Sequence, residues 1–230
     1  MEAIVLAGGL GTRLRSVVDD LPKPMALVQG RPFLALLLDQ LVDAGFATAI
    51  LAVGYRHEAI RAHFGEHYRG LPLRYSIERE PMGTGGAIRL ASAQAGAEDV
   101  FVLNGDTYLE LDFQTMLDTH GDCGAELSMA ICRVADVSRY GALRLRDDIV
   151  QAFLEKGQSG PGWINAGTYI LAPALRARLR TTGAFSFEHD VLELELESIR
   201  PRAFRCFGRF IDIGVPDDYA RAQMLFQSLQ

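Results

Sequence analysis

Apolar and polar positions follow two different rhythms along the chain. Residues 3–7 form a short apolar run that reads as a buried strand. Residues 33–44 have helical length and run into Gly45, a natural helix stop. Apolar runs at 47–53, 73–77 and 100–103 predict further strands, and residues 56–64 and 84–95 predict the helices between them. Strands alternating with helices at this spacing predict an α/β fold, a Rossmann-like and mainly parallel sheet with helices on both faces. Ligands of such sheets bind beyond the carboxyl ends of the strands. Gly8 and the run Asn104-Gly105-Asp106 both fall at such ends.

The rhythm changes after about residue 120. Residues 126–134, 141–145, 149–154 and 163–171 read as strands with no helices between them. Residues 174–179 and 188–198 read as helices, and a strand at 203–207 leads to another at 210–213. Residues 216–229 read as a closing helix, with Pro216 suited to its first turn. The expected organisation is one domain of 230 residues in two halves, the second β-rich and folded over the first like a lid.

Composition excludes several classes. No apolar run is long enough to cross a bilayer, and Met1 leads into a strand without a charged leader, so a cytoplasmic protein without a membrane partner is expected. Cys123, Cys132 and Cys206 are odd in number and lack CxxC spacing, which suits a reducing compartment and neither a disulfide framework nor a zinc site. A net charge of −6 argues against nucleic-acid binding. An anionic substrate would therefore need local cations. Of the 23 basic residues only Lys23 and Lys156 are lysines. A compact ammonium at these two places suggests sites where a planar guanidinium would not fit.

Gly8, Gly9 and Gly11 follow a strand and can bring backbone N–H groups close to phosphate oxygens. The spacing is not that of a P-loop, because no GK[ST] ending follows. It also fails as a dinucleotide fingerprint, since Leu14 stands where the third glycine belongs. Thr12 and Arg13 come next, then Pro22-Lys23-Pro24, whose prolines stiffen the backbone around the lysine.

The run Gly8-Gly9-Leu10-Gly11-Thr12-Arg13-Leu14 with Pro22-Lys23-Pro24 resembles the signature of the sugar-1-phosphate nucleotidylyltransferases. The likeness continues through Pro81-Met82-Gly83-Thr84-Gly85-Gly86, Asn104-Gly105-Asp106, Glu155-Lys156, Asn165-Ala166-Gly167 and Asp212-Ile213-Gly214, nearly the whole chain. It implies the fold of the nucleotide-diphospho-sugar transferases. It also implies the reaction of a nucleoside triphosphate with a sugar 1-phosphate to give a nucleotide-sugar and pyrophosphate. Arg13 and Lys23 are then the catalytic cations, one a bidentate fork and the other a point charge at the α-phosphate. Leu6, Ala7, Gly8, Gly9, Gly11, Thr12, Glu78, Gly83, Thr84 and Asp106 would join them around the nucleotide. Asp106 and Asp212 would hold Mg2+, which favours one or two carboxylates with phosphate oxygens and water. Glu155 would accept from sugar hydroxyls, Lys156 would hold the sugar phosphate, and Gly141, Asn165 and Gly167 would approach the sugar.

Thymidylyl and uridylyl members of the resembled family often carry a glutamine where Glu78 stands. A carboxylate only accepts hydrogen bonds, and guanine offers the adjacent N1–H and 2-amino donors, which favours GTP. The alternative is that Glu78 faces solvent and backbone groups read the base. The run 81–89 and the run 210–216 look most like the heptose-1-phosphate guanylyltransferase branch, with Met82 in place of a more usual leucine. A mannose-1-phosphate guanylyltransferase, a uridylyltransferase acting on a sugar such as N-acetylmuramate 1-phosphate, and a non-catalytic sugar-nucleotide-binding subunit are the competing readings. A homo-oligomer is compatible with the sequence. The five histidines and the run 185–190 are assigned no chemistry.

Overall fold

The computed structural model describes residues 1–9, 21–180 and 182–227. Strand β1 (Glu2–Leu6) precedes a tight turn at Lys23–Met25, a hairpin of β2 (Leu27–Val28) and β3 (Arg31–Pro32), and helix α1 (Phe33–Asp43). Then come β4 (Thr48–Val53), α2 (His57–Phe64), β5 (His67–Tyr68), β6 (Leu71–Ile77), α3 (Gly83–Ser92), β7 (Val100–Asn104), β8 (Thr107–Leu109) and α4 (Phe113–Cys123). The second half carries β9 (Leu127–Val134), β10 (Leu143–Arg146), β11 (Ile149–Phe153), β12 (Gly162–Leu171) and α5 (Pro173–Arg178). A wide helical turn at Phe187–Glu193, α6 (Leu196–Ile199), β13 (Arg202–Cys206), β14 (Phe210–Asp212) and α7 (Pro216–Leu225) follow.

β1, β4, β6 and β7 pair in parallel, as the alternating rhythm predicts. β4 is buried at every position, as a strand covered on both faces must be. In β1 the side chains alternate between two cores. Ala3 and Val5 belong to the core that holds Phe33, Leu37 and Phe101 on one face, while Ile4 belongs to the core that holds Ile50, Val102 and Tyr169 on the other. Helix α1 covers the first core with Phe33, Leu34, Leu37, Leu38 and Leu41, and Gly45 ends it at φ +73°.

The second half is not a lid laid over the first, and that expectation is corrected. β12 lies antiparallel between β7 and β9, with Thr168 opposite Leu103, so one ten-stranded sheet runs through both halves. The predicted continuous helix over 188–198 is also corrected. Ser186 caps a turn wide enough for the Leu194 N–H to reach the His189 carbonyl, and the short α6 follows. Helix α4 escaped the sequence pattern because only Phe113, Met116 and His120 of its face are buried. Its signal is local: the Asp112 carboxylate accepts from the Thr115 N–H at 3.0 Å, and Gly124 closes the helix at φ +57°.

Candidate active site

The parallel strands β1 and β7 end side by side. The Gly105 N–H donates to the Leu6 carbonyl, and a Cβ on Gly105 would lie 2.5 Å from that oxygen. Only glycine allows this approach, which delivers Asp106 to the mouth of the sheet. β8 then pairs antiparallel with β14, with Thr107 opposite Asp212, and the Ile213 N–H donates to the Asp106 carbonyl. Two acids distant in sequence thus meet at one point.

Lys23 reaches the same point from the proline-flanked turn. The Met25 N–H closes that turn on the Pro22 carbonyl at 2.8 Å. Lys23 Nζ donates to Asp106 Oδ2 at 2.5 Å and lies 4.0 Å from Asp212 Oδ1. Burial and the neighbouring charge of Asp106 push the Asp212 carboxyl above its usual range, while Lys23 and the Gly214 N–H oppose the shift. The donor set is two hard carboxylate oxygens, which fits a divalent cation completed by phosphate and water. Among the described residues no cluster of three or more His, Cys, Asp or Glu forms a fuller cage.

A cavity of about 390 Å³ opens beside this point. Leu6, Ala52 and Ala87 give it an apolar wall, and Gly8, Gly9, Glu78, Gly83, Thr84, Lys23 and Asp106 give it polar groups. The volume and mixed lining suit a nucleotide-sized ligand. Ala7 is buried behind the wall, with its N–H on the Ala52 carbonyl. Gly11, Thr12 and Arg13 lie outside the described residues.

Glu78 faces the cavity. One of its oxygens accepts from the Met82 N–H at 3.0 Å, and the other lies where a Cβ on Gly8 would come within 2.9 Å. Burial raises its pKa, and the Met82 bond opposes this. Gly83 also lines the cavity, yet its missing side chain serves packing: at φ +70° a Cβ would lie 2.3 Å from the Phe185 carbonyl oxygen. Thr84 donates to Glu188 Oε2 at 2.5 Å and accepts from the Phe187 N–H. Glu188 therefore belongs to the cavity wall, a residue that sequence reasoning left without a role although it sits in a run noted for its resemblance.

The sugar-side candidates separate into two groups. Asn165 and Gly167 sit at the register shift in β12, where the Asn165 amide donates to the Tyr169 hydroxyl and its carbonyl oxygen accepts from the Gly167 N–H. Gly167, at φ +71°, presses against the Asn104 side chain, which joins this bulge to the strand end before Asp106. Glu155 and Lys156 instead lie exposed on the turn after β11 and do not line the cavity. Gly141 belongs with them. At φ +82° it passes so close to the Leu154 carbonyl that a Cβ would be 2.9 Å away.

A family model described as nucleotidyl transferase matches residues 2–228. The chain belongs to that family. The D-glycero-alpha-D-manno-heptose 1-phosphate guanylyltransferase of Aneurinibacillus thermoaerophilus is 44% identical over 227 residues, 99% of each chain. The enzyme of the same description from Campylobacter jejuni is 38% identical over 95% of this chain and 97% of its own. The crystal structure of HddC from Yersinia pseudotuberculosis complexed with GMP-PN superposes with a TM-score of 0.87 at 39% identity, covering 98% of this chain and 99% of that one.

Other chemistries have little support in this nucleotidyl transferase. Burial pushes the Cys132 and Cys206 thiols up to about 12, which suits packing rather than nucleophilic attack. Burial lowers the pKa of His120, whose Nδ1 sits 2.8 Å from the Ser128 hydroxyl inside the core. No described helix is long and apolar enough to cross a membrane.

Proposed function

We propose that the chain transfers GMP from GTP to D-glycero-α-D-manno-heptose 1-phosphate, giving the GDP-sugar and pyrophosphate for surface polysaccharide synthesis. The observation that carries this reading is the meeting of Lys23, Asp106 and Asp212 at the mouth of the cavity that holds Glu78. The names of the relatives support the base and the sugar. The nucleotide-binding half extends to about residue 120 and the sugar-binding half follows it.

A sugar-phosphate oxygen attacks the α-phosphorus while pyrophosphate leaves on the opposite side, so alignment and charge neutralisation carry the rate. Gly8, Gly9 and Gly11 approach the phosphates with backbone N–H groups, Thr12 beside them. Arg13 grips phosphate oxygens, and Lys23 stabilises charge growing at the α-phosphate. Leu6 and Ala7 form the strand end beneath the nucleotide, and Gly83 and Thr84 the facing wall. The free oxygen of Glu78 accepts from the guanine N1–H and 2-amino group. Asp106 and Asp212 would hold Mg2+, which when bound offsets phosphate charge. Lys156 holds the sugar phosphate, Glu155 accepts from sugar hydroxyls, and Gly141, Asn165 and Gly167 let the sugar approach the backbone.

The test is pyrophosphate release with each nucleoside triphosphate against a panel of sugar 1-phosphates. The highest kcat/KM is expected for GTP with the heptose 1-phosphate. A higher value with mannose 1-phosphate or with UTP would replace the sugar or the base. No release with any pair would replace catalysis by sugar-nucleotide binding alone.

A further inference from the structure

Asp218 is the one acidic side chain among the described residues that is almost wholly buried, at 1% exposure. It sits in the first turn of α7, next to the exposed Asp217. Three donors converge on it. Arg139 and, at 3.5 Å, the Tyr140 hydroxyl meet Oδ2, while Arg221 reaches Oδ1 at 2.8 Å. A desolvated carboxylate needs such partners, and in return it fixes where they stand.

Arg139 and Tyr140 lie in a turn that carries Gly141 and is bonded to the turn bearing Glu155 and Lys156. The Tyr140 and Gly141 N–H groups both close on the Val137 carbonyl at 3.0 Å. The Ser138 carbonyl accepts from the Gly157 N–H, and the Ala142 carbonyl accepts from the Leu154 N–H. Glu155 and Lys156 lie between those two bonds. The Tyr140 ring also meets Phe210 edge-on at 5.7 Å, on the strand that bears Asp212. Burial, with the charge of Asp218 next, pushes the Tyr140 phenol up to about 12, so it stays a neutral donor. The other face of α7 holds the hairpin that follows Lys23, through Gln223 to Gln29 and through the Tyr219 hydroxyl to the Leu27 carbonyl.

We propose that Asp218 is a positioning residue, which through Arg139 fixes the 138–142 turn and with it Glu155 and Lys156 against the site of transfer. The inference rests on the transferase reading above and assigns it a determinant of sugar 1-phosphate affinity outside the cavity. Nothing in it requires Asp218 to touch a substrate.

Initial rates of pyrophosphate release with GTP and the heptose 1-phosphate test it, in Asp218→Asn, Arg139→Gln, Arg139→Lys and the control Asp217→Asn. Asp218→Asn and Arg139→Gln are expected to raise the KM for the sugar phosphate about tenfold, with the KM for GTP and kcat within about threefold. Arg139→Lys should recover part of the loss, and Asp217→Asn should match the parent. If Asp218→Asn does not fold, Arg139→Gln decides, because that side chain is 42% exposed and its loss leaves Arg221 on the carboxylate. An unchanged sugar KM in a folded variant overturns the proposal. So does an equal rise in both KM values, which marks general loosening. An inactive parent is a separate result, seen before any variant: it removes the transferase reading and this inference with it.

Discussion

The two halves of the proposed site are built differently. On the nucleotide side, strand ends deliver Gly8, Asp106 and Asp212 directly, and Lys23 comes from a turn stiffened by two prolines. Lys23, only 14% exposed, already lies between its acids. On the proposed sugar side, Glu155 and Lys156 are exposed on a turn held by backbone bonds to a second turn, whose Arg139 meets a buried carboxylate in α7. Side chains fixed by a sheet are preorganised for charge stabilisation, the demand of the chemical step. Residues on paired turns adjust more easily, which suits a site that selects one substrate shape among related sugars.

That contrast predicts where the rate is lost. Lys23→Ala removes the cation from the better organised half. It is expected to lower kcat by about 10²–10³, while circular dichroism shows a folded chain. A kcat close to that of the parent would mean that Lys23 is only a counter-ion for Asp106 and Asp212.

Lys156→Met probes the other half with nearly the same side-chain length and no charge. The KM for the sugar 1-phosphate should rise about tenfold while kcat and the KM for GTP change little, the pattern of lost ground-state binding. A fall in kcat without a change in KM would place Lys156 among the groups that act in the transition state and erase the contrast.

How much of this was legible in the sequence follows the same division. Apart from β8 and α4, the longer elements of the first half were read because their apolar runs match the periods of buried strands and amphipathic helices, as at β1, α1 and β4. The gathering of Asp106 with Asp212 came from resemblance alone; the physical cause is the pairing of two three-residue strands, β8 and β14, too short to show a period. Glu188 and Asp218 were passed over because sequence alone does not show which acids the fold turns inward; here it brings Glu188 to the cavity wall and buries Asp218. The glycines of 83–86 were noted for resemblance, with Gly83 and Thr84 placed around the nucleotide. In the structure Gly83 and Gly85 make room for Phe185, whose ring would lie 2.1 Å from a Cβ on Gly85.

Glu78→Gln tests base selection within the organised half. An amide presents one acceptor and one donor where the carboxylate presents acceptors only. The ratio of kcat/KM for GTP over UTP should fall about tenfold, roughly the cost of mispairing one hydrogen bond to the base. A ratio unchanged in competition assays would remove Glu78 from base reading and leave it as the anchor of the Met82 N–H.

The smallest expected effect is one of stability. Burial and the charge of Asp106 raise the Asp212 pKa in the fold, against the pull of Lys23. A carboxyl whose folded pKa lies above its unfolded value binds its proton more tightly in the fold. Its contribution to stability is full below the unfolded pKa and is lost as pH rises through the raised folded value. At neutral pH, then, ionised Asp212 supports the fold less than its protonated form would. Asp212→Asn keeps an oxygen for the Gly214 N–H and removes the charge. In a chelator-containing buffer it should raise stability by about 1 kcal/mol, or about 2–4 °C in Tm. The gain should shrink as the pH is lowered toward 4. A lower Tm at pH 7.5 would mean that the attraction of Lys23 for Asp212 outweighs burial and Asp106. The organised half would then hold its acids together by charge pairing, without the strain that this geometry predicts.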